Sequence, residues 1–234
     1  MFKFCYETRY GDYKDFAEIK PGTVLDIIQD IAIRDSERCG YSLDCLRDLN
    51  RAWLMQGINV RFEQPIRTHI PIEAETAVKR FRGVTSERCT RLYQEGEPVA
   101  KAVAHWFLFD TEQMRICKIP KEMIEAYEFY DFEDSFFTYQ KPEMDETATA
   151  MRTIVVSNKE IDTNYHLNNQ KGAELLMDAL PYDFPIRNIS LLYKKTAYLG
   201  DELELCRKEL PTGYYVHLQT KEKEICVAGI FVTE

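Results

Sequence analysis

Few side chains in this sequence combine the type and the spacing that chemistry needs, and Asp162, Asn164, His166, Asn168 and Asn169 supply most of them within one short run. An imidazole titrates near neutrality, so it can take a proton from water or return one to a leaving group. Carboxylate and amide neighbours are the groups that hold such a ring and polarise a carbonyl. Asp and Asn also gather before helices because their side chains bond nearby backbone N–H groups. Capping accounts for one or two of these residues, and a histidine set between carboxylate and amides points to function.

The remaining histidines read differently. His105 and His217 lie in alternating strand patterns, where a hydrogen-bonded structural histidine is expected, and His69 falls in a loop near Pro71. No set of residues has metal-ligand spacing, and there is no glycine-rich phosphate loop and no Gly-x-Ser-x-Gly elbow. Metal, nucleotide and serine-hydrolase chemistry therefore lack support, and no cofactor is expected.

The elements that must position the run come in two copies. Residues Glu18 to Asp30 align with His166 to Asp178 at an offset of 148, and both stretches carry apolar residues at helical spacing. In the first these are Val24, Leu25, Ile27, Ile28 and Ile31; in the second Ala173, Leu175, Leu176, Ala179 and Leu180. Pro21 suits a first helical turn and Gly40 a helix end, while Asn168 or Asn169 caps the second helix and Pro181 stops it. Strand patterns at Ile58 to Phe62 and Ile189 to Tyr193 align at an offset of 131, so the first copy is 17 residues longer, and Tyr41 to Asn50 reads as an extra helix there. Long alternating strands close each copy. One helix followed by antiparallel strands, repeated once, is an α+β layout. Alternation alone does not separate the possible α+β folds; the repeat, taken with the polar motif, narrows them to a tandem (double) hotdog, with two long helices each wrapped by a curved antiparallel sheet. The first copy has Phe16, Glu18, Lys20 and Pro21 where the second has Asn164, His166, Asn168 and Asn169, so only one copy carries the polar constellation.

Apolar residues make up 45% of the 234 and charged residues 29%, as in an ordinary globular protein. No apolar run approaches the roughly 20 residues of a membrane span. The N-terminus mixes charges among aromatics without the apolar core of a signal peptide, and seven cysteines form no Cys-x-x-Cys pair. A reducing, cytoplasmic setting is expected.

The net charge of −9 is concentrated: residues 119–150 hold nine acids against two lysines. An acidic chain argues against nucleic acid as partner. The same stretch is rich in Phe and Tyr, so it reads as a linker packed on the body rather than a free tether. This divides the chain into residues 1–118, a linker at 119–149 and residues 150–234. Lys79, Arg80, Arg82, Arg88 and Arg91 make a local basic run, either the solvated face of two strands or a docking patch for an acidic partner. Arg187, Lys194, Lys195, Arg207 and Lys208 offer a second such cluster.

The pattern Asp162-x-Asn164-x-His166-x-Asn168-Asn169 resembles the active-site motif of the acyl-acyl carrier protein (acyl-ACP) thioesterases, the plant fatty-acid-releasing enzymes and their bacterial relatives. The resemblance extends along nearly the whole chain, through Ala52, Trp53 and Leu54, Trp106, the linker, and the run from Leu192 to Lys195 followed by Leu199 to Leu203. It implies hydrolysis of a fatty acyl thioester on acyl carrier protein, with free fatty acid as product and an end to chain elongation. The first hotdog would hold the acyl chain, with Trp53 as a lining residue, and the second would carry the chemistry. Asn164 would position the carbonyl or water, His166 would be the general base or orient it, and Asp162 would hold that pair. Asn168 and Thr196 are further substrate-binding candidates. Backbone N–H groups at the start of the second helix would stabilise the oxyanion.

Where plant relatives carry a Glu-Cys pair after the Tyr-Lys-Lys strand, this chain has Thr196 and Ala197. A cysteine nucleophile at that place is excluded, and Asp162 with His166 would have to suffice. Other hotdog proteins hydrolyse acyl-coenzyme A or dehydrate 3-hydroxyacyl carrier protein, and a non-catalytic module that only binds acyl thioesters is a further alternative. Because one chain already pairs two hotdogs, either a monomer or a homodimer is compatible with the sequence.

Overall fold

The apolar residues spaced along Val24 to Ile31 become one face of a helix, α1 (Pro21–Arg38), and are buried. Pro21 occupies its first turn, where a missing N–H is harmless, and Gly40 just past its end takes the left-handed φ of +87°. The computed structural model describes residues 1–130, 132–145, 147–162 and 164–234; Asp131 and Glu146 of the acidic stretch, and Thr163, lie outside the described residues. The chain divides into two compact units, Met1–Tyr139 and Gln140–Glu234.

In the first unit α1 packs on an antiparallel sheet of β1 (Phe2–Tyr6), β2 (Arg51–Phe62), β3 (Ile72–Arg82), β4 (Thr85–Gln94) and β5 (Glu97–Asp110). Their spatial order is β1-β3-β4-β5-β2, and the short β6 (Arg115–Ile116) adds to β5. The expected extra helix is α2 (Leu43–Asp48), whose Ser42 hydroxyl accepts the Cys45 N–H at 3.2 Å. After α3 (Lys121–Ala126) the aromatic segment lies on the body of this unit. Tyr127 packs with Leu46, Val78 and Leu108, and Phe132 and Phe137 pack on Ala77, Cys89 and Val103.

The second unit repeats the design. Strands β7 (Thr149–Val155), β8 (Asn188–Tyr193), β9 (Glu202–Leu210), β10 (Gly213–Gln219) and β11 (Ile225–Val232) pair antiparallel in the order β7-β9-β10-β11-β8. Helix α4 (Asn169–Met177) packs on β10 and β11 through Gly172, Ala173 and Leu176. Each unit is thus a hotdog and the chain is an α+β double hotdog.

Of the two long helices expected, only α1 is long: α4 has 9 residues against 18 in α1. Its end tightens, with Ala179 N–H bonding Leu176 and Leu180 N–H bonding Met177, and Pro181 follows without an N–H to continue the ladder. Among the described residues no helix is long and apolar enough to cross a membrane, and no group of His, Cys, Asp or Glu could hold a metal ion.

Candidate active site

The run from Asp162 to Asn169 is held by backbone hydrogen bonds from both sides before any side chain is considered. A 3₁₀ turn at Asn158–Glu160 leads into it. Glu160 is buried, and burial alone would raise its pKa; hydrogen bonds from the Ser157 hydroxyl at 2.6 Å and N–H at 2.8 Å, with Lys159 beside it, hold it below the ordinary carboxylate value. The Glu160 carbonyl accepts the Asn168 N–H, the His166 carbonyl accepts the Asp162 N–H, and the Ala197 carbonyl accepts the Leu167 N–H, each at 2.8 Å. The loop is therefore closed on itself and tied to the turn that follows β8.

Asp162 completes the closure. One oxygen of its carboxylate, Oδ1, accepts the N–H groups of Asn164 at 2.8 Å and His166 at 3.2 Å. Asp162 thus holds Asn164 and His166 through their backbone N–H groups rather than through their side chains. Its Oδ2 carries no hydrogen bond among the described residues. Between the two held residues Tyr165 takes a left-handed φ of +63° and is 80% exposed.

Asn168 caps α4, its Oδ1 accepting the N–H groups of Gln170 at 2.9 Å and Lys171 at 3.2 Å. The Gly172 N–H goes to the Asn168 carbonyl at 2.8 Å. This cap corrects the expectation of an oxyanion site built from several N–H groups at the helix start, because all but the Asn169 N–H in that turn are taken. The half-buried His166 ring stands edge-on to Tyr198, centroids 5.2 Å apart and planes at 84°. Thr196 is exposed and Ala197 is buried, so neither supplies an acid or base beside the imidazole.

The chain matches the acyl-ACP thioesterase N-terminal domain over residues 1–127 and the acyl-ACP thioesterase C-terminal domain over residues 143–230. It belongs to the acyl-ACP thioesterase family. The fold agrees with solved structures at low identity. An acyl-ACP thioesterase from Bacteroides thetaiotaomicron superposes with a TM-score of 0.87 at 16% identity, covering 99% of this chain and 96% of that one. The 12:0-ACP thioesterase from Umbellularia californica gives a TM-score of 0.85 at 14% identity, covering 99% and 96%. No curated protein matches in sequence. As a member of this family the chain is a thioesterase, an enzyme that hydrolyses acyl-ACP thioesters.

Within this thioesterase the other expected site residues fall into two groups. Trp53 lies on β2, stacked on Phe81 at 6.2 Å and packed against the cluster of Leu46, Val78 and Leu108 inside the first unit. The basic run does not form one surface. Arg88 is buried and pairs with Asp35 of α1 at 2.7 Å, Arg80 pairs with Glu87 at 2.7 Å, and Lys79 donates to the Phe137 carbonyl at 2.6 Å. Arg91 lies over the rings of Phe132 and Phe137 at 5.3 and 5.2 Å. Arg82 alone of these residues is exposed. The docking-patch expectation therefore fails for Arg88, because its charge is neutralised in the interior. Much of the run instead grips the chain's own aromatic segment. Of the second cluster, Lys195 pairs with Glu224, Lys208 pairs with Asp145 and Arg207 donates to the Ala179 carbonyl, while Arg187 and Lys194 are exposed.

Two supports of the site were not read from the sequence: the Glu160–Ser157 lock beneath the loop, and Tyr198 beside the imidazole. The offset of 131 between the copies was the signal available for Tyr198, since it places that residue opposite His166 as Arg67 stands opposite Glu18.

Proposed function

We propose that the second unit carries the hydrolysis, with His166 as general base, Asn164 as the donor to the thioester carbonyl and Asp162 as the residue that fixes both, while the first unit receives the acyl chain. The observation that carries this reading is the closed loop itself: Asp162 Oδ1 takes the N–H groups of both Asn164 and His166. A group held in place before substrate arrives avoids the entropy cost of ordering during reaction.

In the proposed step water adds to the thioester carbonyl carbon as His166 takes its proton. The carbonyl oxygen becomes an oxyanion, stabilised by the Asn164 amide and the Asn169 N–H. Collapse breaks the C–S bond, and the thiolate leaves with the proton returned by the imidazolium, giving a fatty acid and the free thiol. Thiolate is a good leaving group because a thiol pKa is about 8.5, so the reaction does not need a covalent nucleophile. Thr196 and Asn168 would lie along the approach of the substrate. Release as free acid would end elongation of that chain. The seven free cysteines fit a reducing, cytoplasmic setting.

The test is release of free thiol and fatty acid from a series of acyl-carrier proteins, with matching acyl-coenzyme A thioesters and the His166→Ala protein run alongside. Turnover of carrier-protein substrates that falls about 10²–10⁴-fold in the variant is expected. Equal turnover by wild type and His166→Ala would overturn the assignment of the base. Faster turnover of coenzyme A substrates would reassign the acyl donor.

A further inference from the structure

Tyr198 follows the two positions where the expected Glu-Cys pair is replaced by Thr196 and Ala197, and it is the strand partner of His166 through an isolated antiparallel bridge. Its backbone is fixed on every side. The Tyr198 N–H donates to Asp201 Oδ2 at 2.8 Å, its carbonyl accepts the Asp201 N–H at 3.1 Å, and the Gly200 N–H donates to the Val156 carbonyl at 2.9 Å. Gly200 makes this turn possible with a φ of +86°. The Tyr198 side chain is 52% exposed, so burial is not what orders it or explains its place.

The His166 ring, by contrast, lacks a fixed polar partner. Among the described residues neither ring nitrogen makes a hydrogen bond, and its defined ring contact is the edge-on packing with Tyr198, centroids 5.2 Å apart. A half-buried histidine has several rotamers open to it, and only some of them direct a nitrogen at a bound water. An aromatic ring at the perpendicular geometry selects among them. We propose that Tyr198 is the positioning residue of His166, an aromatic ring doing the orienting that a carboxylate does elsewhere. The inference rests on His166 being the catalytic histidine, and it adds no step to the reaction.

The test compares Tyr198→Phe, Tyr198→Leu and His166→Ala with wild type on one acyl-carrier protein. Tyr198→Phe keeps the ring and is expected to hold kcat within about 2-fold. Tyr198→Leu is expected to lower kcat about 3–10-fold at unchanged KM and unchanged thermal midpoint. NMR gives a readout independent of turnover. The ring protons of His166 should be shifted by the Tyr198 ring current in wild type and Tyr198→Phe, and should lose that shift in Tyr198→Leu. Wild-type kcat in Tyr198→Leu would overturn the inference. So would a rise in KM alone, which would make Tyr198 a substrate contact, and so would a loss in Tyr198→Phe equal to that in Tyr198→Leu, which would give the role to the hydroxyl. Full activity of His166→Ala would remove the reading beneath the inference, and that outcome is separate from the others.

Discussion

The loop from Tyr13 to Lys20 in the first unit and the loop from Ile161 to Asn168 in the second are closed by matching backbone hydrogen bonds and differ in nearly every side chain. In the first, Lys14 N–H bonds the Glu18 carbonyl, Lys20 N–H bonds that of Asp12, and Ile19 N–H bonds that of Ile66, each at 2.8 Å. In the second, the bonds from Asp162 to His166, from Asn168 to Glu160 and from Leu167 to Ala197 have the same length and the same order. Both loops also use one aspartate to gather two N–H groups, Asp15 for Ala17 and Glu18, Asp162 for Asn164 and His166. What differs is where the polar side chains go. The first loop pairs Lys14 with Glu18 and sends the Lys20 ammonium to the Gly11 carbonyl. In the second, among the described residues, the Asn164 amide and the His166 imidazole have no such partners. In the proposed mechanism the frame that serves as structure in one unit serves in the other as a holder for reactive groups.

The comparison extends to buried charge, and there the largest effect is expected. The first unit places Arg88 and Asp35 in its interior, while the second has Tyr214 at the corresponding hairpin position. Arg88→Met strands a buried carboxylate that Arg38 also bonds at 2.9 Å, and should cost about 3 kcal/mol of stability with kcat per folded molecule unchanged. Urea unfolding and active-site-normalised turnover measure the two separately. A loss of kcat in the folded variant would mean that the pair belongs to the catalytic apparatus.

The aspartates of the two loops sharpen the contrast directly. Asp162→Ala frees the backbone of Asn164 and His166, and a displacement on the ångström scale should lower kcat about 10²-fold. Asp15→Ala frees a loop with no reactive side chains and should leave kcat within 2-fold, with only a small fall in thermal midpoint. Equal effects on kcat would show that the first loop also takes part in the reaction.

Much of this frame was legible in the sequence because a repeat exposes its own register: the offsets of 148 and 131 recover the helix pairs, the strand pairs and the extra helix α2. Strand β7 was not read, since most of its residues are exposed and it has no apolar alternation. The internal partners of the basic run were hidden in the sequence for a different reason. Arg88 finds Asp35 across 53 positions and Lys79 finds the Phe137 carbonyl across 58, contacts no local pattern reports. Asp162, Asn164 and His166 were legible because the second copy departs from the first there, but the means by which Asp162 acts, through backbone N–H groups, belongs to the folded loop.

Two strand histidines, the half-buried His105 and the buried His217, give a pH-dependent version of the comparison. In the first unit His105 has Gln56 as a partner at 2.6 Å and stacks on Tyr139. In the second His217 is buried, and among the described residues neither ring nitrogen is hydrogen-bonded. Burial lowers the pKa of both below the ordinary 6.5. The unfolded chain then binds the proton more readily than the folded one. Stability is full above about pH 6.5 and falls as pH drops below that value toward the folded pKa, by at most about 1.4 kcal/mol per pH unit for each histidine. Urea midpoints at pH 7.5 and 5.5 should differ less in His217→Phe and in His105→Phe than in wild type. An unchanged pH difference in both would mean the rings titrate alike in folded and unfolded chains.

The smallest effect is the one that reverses sign between the loops. Tyr165 and Ala17 occupy the same place in the two copies, but Tyr165 has a φ of +63° and Ala17 is not left-handed. A left-handed conformation costs a non-glycine residue roughly 1–2 kcal/mol. Glycine removes that strain but adds freedom to the unfolded chain, a loss of about 0.4–1 kcal/mol. Tyr165→Gly should therefore stabilise by a few tenths to about 1 kcal/mol, whereas Ala17→Gly should destabilise by about 0.4–1 kcal/mol. Urea unfolding of the two variants checks both signs at once. If both substitutions destabilised, the Tyr165 ring would be contributing more to its loop than its backbone strain removes, and the second loop would be less of a bare frame than its hydrogen bonds suggest.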